Sequence, residues 1–105
     1  MALIPLTREF IRVVELGLTN LEPWHIVFGD RLRTRFEGVR KRYPSRRVVP
    51  FALRQGSDDL AAFVVGSYEV IILHDFASPG YESRRTFDSF FGWFRAAIED
   101  MIDFE

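Results

Sequence analysis

The chain predicts an α+β fold: a small antiparallel sheet of three or more strands flanked by helices, with a C-terminal helix packed on the sheet. Three observations carry this. Strand-like runs are gathered between residues 47 and 74, helical periodicity lies on either side of them, and the links between the runs are too short for parallel crossovers. At 105 residues and 48% hydrophobic content the chain has the size and composition for one core, so residues 1–105 read as a single domain.

The elements follow in order. Thr7 to Leu16 places Phe10, Val13 and Val14 at helical spacing, with Thr7 suited to cap the start and Gly17 to end it. Asn20 to Gly29 shows no period and reads as an irregular segment held by Trp24 and Phe28. Asp30 is placed as the N-cap of a second helix to about Tyr43, in which Leu32, Phe36, Val39 and Tyr43 form one apolar stripe and Pro44 stops the run. Arg47 to Leu53 is the first strand, edge or bulged because Pro50 lacks a ladder donor. Leu60 to Val65 and Tyr68 to His74 are the next two, joined through a Gly66-Ser67 hairpin, with Val70 to Leu73 apolar on both faces and therefore central. Asp88 or Ser89 then caps a last helix to about Ile102, whose expected buried stripe is Phe90, Phe94, Ile98, Met101 and Ile102, widened by Phe91 and Trp93.

Charge is distributed unevenly although it nets to −1. Residues 31–54 hold nine basic side chains against one acid, Glu37, while residues 55–81 hold four acids and no base. Thirteen of the fourteen cations are Arg, a count that either planar bidentate recognition or a GC-rich genome produces. The last helix is electrostatically backward: Glu99, Asp100 and Asp103 stand where the helix dipole favours cations. Either the Arg-rich helix lies alongside and pairs with them, or they face outward toward a cationic partner.

Catalytic chemistry finds little support. His74 and Asp75 are adjacent, but neighbours on a strand point to opposite faces. Asp58 and Asp59 meet the same objection or serve a turn, and His25 reads as an amphipathic surface residue. The glycines match neither a dinucleotide loop nor a P-loop, and no nucleophile elbow occurs. With no Cys, thiolate nucleophiles and thiolate metal sites are excluded. The expectation is a non-enzymatic protein without cofactor or metal. No apolar run is long enough to cross a bilayer, and residues 1–5 lack the pattern of a signal peptide, so the reading is cytoplasmic with no membrane partner.

From Val49 onward four segments follow in order, Pro50-Phe51-Ala52, Asp58-Asp59-Leu60-Ala61-Ala62-Phe63, Glu69-Val70-Ile71-Ile72-Leu73-His74-Asp75 and Phe87-Asp88-Ser89-Phe90-Phe91-Gly92-Trp93-Phe94, in about half the chain. Together they resemble the SUKH superfamily, the domain of cell-wall assembly regulators and of many bacterial toxin-immunity proteins. The first half departs from the family pattern, with only Leu3-Ile4-Pro5 and Gly17 to correspond. The resemblance implies a protein-binding domain, immunity-type in bacterial members, that neutralises a cognate toxin.

A basic toxin would be steered by acids, and Asp58, Asp59, Asp75, Glu82, Glu99, Asp100 and Asp103 are the candidates, with Tyr81 and Tyr68 as anchoring aromatics. The alternative is a nucleic-acid-binding module using Arg31, Arg35, Arg40, Lys41, Arg42, Arg46 and Arg47, with Phe36, Tyr43 and Phe51 interleaved. The expected state is a monomer or weak homodimer.

Overall fold

A computed structural model describes residues 6–77 and 83–104. Helix α1 (Arg8–Glu15) begins where Thr7 Oγ1 accepts from the Phe10 amide at 3.2 Å. It closes in a Schellman turn: Gly17 N–H donates to the Val14 carbonyl at 2.9 Å, and Leu18 N–H donates to Val13 at 3.0 Å. Gly17 makes this possible at φ +74°, where a side chain would be strained.

The segment expected to be irregular is instead a short hairpin. Strands β1 (Asn20–Leu21) and β2 (Trp24–Ile26) pair across a cis Glu22–Pro23 turn. Strands of two and three residues are too short to display an alternating pattern, which is why the sequence shows none. Helix α2 (Gly29–Arg42) follows, with Phe28 rather than Asp30 at the N-cap and no side-chain cap bond. Asp30 sits inside the first turn, where its charge still suits the dipole.

Strands β3 (Val48–Arg54), β4 (Asp59–Val64), β5 (Val70–His74) and β6 (Ser83–Phe87) complete a six-stranded antiparallel sheet in the order β1 to β6. Pro50 lies not on an edge but in β3, between β2 and β4, and the expected bulge is there. Pro50 opposes Ala62 and Ala52 opposes Ala61, so Phe51 is the extra residue. The β4–β5 link is five residues, Val65 to Glu69, rather than two. Strand β6 was not expected; its Ser-Arg-Arg-Thr run lacks apolar alternation, as suits an edge strand. Helix α3 (Phe90–Asp103) starts at Ser89, whose Oγ accepts from the Gly92 amide at 3.2 Å.

The sheet is covered on both faces. On one, Val49, Phe51, Ala61, Phe63, Val70 and Ile72 pack against Phe10 and Val13 of α1 and Phe90, Trp93 and Ala97 of α3. On the other, Leu60, Ala62, Ile71 and Leu73 pack against Val39 and Tyr43 at the end of α2. Leu53 touches both clusters. The α2 stripe is as expected, with Phe36 half-buried. In α3 the buried line is Phe90, Trp93 and Ala97, whereas Phe91, Met101 and Ile102 are exposed and Phe94 and Ile98 half-buried. The helix is rotated from its expected setting because Trp93 inserts between Phe51 and Trp24, edge-on to both at 4.9 and 5.7 Å between ring centres.

Candidate functional site

Residues from both candidate sets meet on the α2 side of the sheet. Asp58, Asp59 and Asp75 line one cleft together with Arg31 and Arg35, over an apolar floor of Leu53 and Leu60. The cleft measures about 290 Å³ and opens between the first half of α2 and the β3–β4 turn.

Asp75 is not an exposed partner-binding acid. It is 1% exposed and is the buried charged side chain of the described residues. Arg42 Nε donates to its Oδ1 at 2.7 Å, and Nη2 donates to Oδ2, a bidentate pair. These bonds outweigh the burial that opposes them and hold the Arg42 guanidinium above its ordinary pKa. Gly38, one turn before Arg42, lets the guanidinium fold back along the helix: a Cβ there would stand 3.1 Å from Nη2 and 3.2 Å from Nη1. Arg42 thus serves a structural pair that occupies its Nε and Nη2 donors.

Asp75 also fixes the chain that follows it. Its Oδ1 accepts from the Phe76 amide at 2.9 Å, and Tyr43 Oη donates to the Ala77 carbonyl at 2.8 Å. Phe76 is held at φ +64°, the positive-φ residue among the described non-glycines. Its ring is 64% exposed at the cleft, with the Arg42 guanidinium 4.2 Å from the ring centre. Sequence reasoning missed this residue; the signal that was available is an aromatic directly after a polar pair at a strand end.

Asp59 and His74 are opposed in the β4–β5 register and bond through Asp59 Oδ1 and His74 Nδ1 at 2.8 Å. Asp58 is exposed at the cleft mouth, and its carbonyl accepts from the Asp75 amide at 2.9 Å. Asp58 and Asp75 lie just outside the strand ends, and His74 is bonded to Asp59 across the ladder rather than to its neighbour Asp75. Among the described residues no group of three or more His, Asp or Glu is placed to hold a metal ion.

The α3 end carries the other acids. None of the α3 acids is paired with a cation of the Arg-rich α2 among the described residues. Asp100 accepts from Trp24 Nε1 at 3.2 Å and lies 3.6 Å from Arg54 Nη1, which ties α3 to β2 and β3. Glu99 and Asp103 are exposed and have no ion pair among the described residues. Alongside them run Phe91, 46% exposed, and Ile102, 74% exposed, joined by half-buried Phe94 and Ile98. Tyr68 projects from the β4–β5 turn, 84% exposed. Tyr81 and Glu82 lie outside the described residues.

Of the cationic candidates, Arg31, Arg40, Lys41 and Arg47 are exposed and Arg35 and Arg46 half-buried. The interleaved aromatics are not stacking platforms: Tyr43 and Phe51 are core and Phe36 is half-buried. No helix among the described residues is long and apolar enough to cross a membrane. Comparison with family models, curated proteins and solved structures returned no match.

Proposed function

We propose that the protein is a non-enzymatic protein-binding domain that captures a basic partner on the outer side of α3. The observation that carries this is the coincidence on one helix of an outward apolar stripe and two unpaired acids. Phe91, Phe94, Ile98 and Ile102 supply area to bury. Glu99 and Asp103 supply the charge that steers a cationic protein and fixes its register. Both acids oppose the helix dipole, a standing cost of a few tenths of a kcal/mol each that a partner's cations would reverse. The SUKH resemblance extends the reading to an immunity-type role, in which the partner is a bacterial toxin met in the cytoplasm.

The test is affinity capture with the unaltered chain and with the Glu99→Lys/Asp103→Lys variant, followed by mass spectrometry of the eluate. A stoichiometric basic protein held by the first and lost by the second is the expected result. Equal retention by both would remove the partner from α3.

A second reading, nucleic-acid binding through the Arg-rich segment 31–54, is favoured by the exposed Arg31, Arg40, Lys41 and Arg47. It predicts retention on heparin that is lost as salt rises, and a reduced salt slope for Arg40→Ala/Lys41→Ala. The overall pI of about 6.1 and the buried aromatics favour the protein partner.

A further inference from the structure

The α2 cleft is a second place where groups are held ready for a ligand, and no residue of α3 lines it. Arg31 and Arg35 are one helical turn apart and both open on it, and neither has an ion pair or side-chain hydrogen bond among the described residues. Of the three acids that line the cleft, Asp75 is engaged by Arg42 and Asp59 by His74, which leaves Asp58 with no side-chain partner among the described residues. Arg54 also lines the cleft but lies 3.6 Å from Asp100, so the unpaired charges are Arg31 and Arg35 against Asp58, with Asp30 in the neighbouring hollow.

Phe76 adds a flat apolar surface. An aromatic residue at positive φ costs on the order of 1–3 kcal/mol and persists only where its surroundings enforce it. Here three bonds from α2 and Asp75 do so, and they present the ring to solvent rather than to the core. The Arg42 guanidinium lies 4.2 Å from the ring centre, and the residue is 64% exposed.

We propose that this cleft binds a nucleoside monophosphate. The phosphate sits between Arg31 and Arg35, whose paired planar donors match a single dianionic group. The base stacks on Phe76, a contact that every base can make. Asp58 accepts a hydrogen bond from a base N–H and disfavours longer phosphate chains by repulsion. A volume of about 290 Å³, continued by a neighbouring hollow of about 280 Å³ that shares Arg31, Arg35 and Leu53, is of the order such a ligand needs.

The experiment is calorimetric titration of the full chain with AMP, GMP, CMP and UMP, beside the corresponding nucleosides and triphosphates and inorganic phosphate. At least one monophosphate is expected to bind about tenfold more tightly than its own nucleoside, its own triphosphate and inorganic phosphate, with the Arg31→Gln and Arg35→Gln variants each losing about tenfold. The Phe76→Gly variant separates binding from folding: it accepts the positive φ, so its melting temperature should hold while affinity falls at least tenfold. Absence of heat with all four monophosphates at millimolar concentration overturns the proposal. So does binding of inorganic phosphate as tight as that of AMP, or unchanged affinity in Phe76→Gly. These outcomes are independent of partner capture at α3, so either reading can fail without the other.

Discussion

The two faces of the sheet are built from different materials. The α1/α3 face is aromatic, with Phe10, Phe51, Phe63, Phe90 and Trp93 in mutual ring contact at centroid distances of 4.3 to 5.9 Å. The α2 face is aliphatic, of Val, Leu, Ile and Ala with Tyr43, and ends in the Arg42–Asp75 pair, whose carboxylate is buried. Large rings bury much area and lock one another's orientation, so the first face carries the greater share of stability. A charged pair adds little net stability over apolar packing but demands one geometry. The second face therefore positions things, notably α2 and Phe76.

The sharpest way to break this division is Trp93→Ala. Trp93 is 1% exposed and touches Trp24, Phe51 and Phe90, so its truncation should cost about 3–5 kcal/mol in urea unfolding. A loss below about 1.5 kcal/mol would mean that the aromatic face is not where stability resides.

Asp75→Ala addresses the other face. Arg42 is partly solvated and can swing to water, so the cost is that of lost charged hydrogen bonds, about 1.5–3 kcal/mol, rather than of a stranded charge. The variant should also release Phe76, seen as a change in its amide shift. The sign of the pH dependence follows from Arg42. Pairing raises a pKa that already lies far above neutrality, so the stabilisation is complete below that range and is lost only as pH climbs through it. Melting between about pH 6 and 9 should carry no contribution from Arg42.

Gly38→Ala gives a smaller and more discriminating effect. Helix propensity alone favours Ala by up to about 1 kcal/mol. The new Cβ, however, would press on a guanidinium that Asp75 holds in place. The substitution should be neutral or destabilising in the natural chain and stabilising in the Asp75→Ala background, a coupling of about 1 kcal/mol. Additivity would show that Arg42 yields freely.

How much of this was legible in the sequence differs between the faces in the same way. Period locates α1, α2, α3 and strands β3 to β5, Thr7 and Ser89 cap α1 and α3 as expected while Asp30 does not cap α2, and Pro50 marks the bulge. The rotation of α3 was not legible. Phe90, Phe91, Trp93, Phe94, Ile98, Met101 and Ile102 offer apolar side chains around more than half the helix, and only the insertion of Trp93 between Phe51 and Trp24 selects the buried line. The union of rival site residues in one cleft was illegible for another reason. Arg42 and Asp75 are 33 positions apart, and nothing local announces that a strand end will meet the last turn of a helix.

The smallest expected effect concerns two neighbouring acids that the sequence could not tell apart. Asp58 is exposed, with no side-chain bond among the described residues, whereas Asp59 is half-buried and bound to His74 across the β4–β5 ladder. Asp58→Lys should change stability by less than about 0.5 kcal/mol. Asp59→Lys should cost about 1 kcal/mol more, because it loses the bond to His74 and places two basic groups opposite each other on adjacent strands. Thermal melts of the two variants side by side decide it: equal melting points would show that the His74 contact carries no weight. A melting point that falls with Asp58→Lys and holds with Asp59→Lys would reverse the assignment and make Asp58 the structural member of the turn.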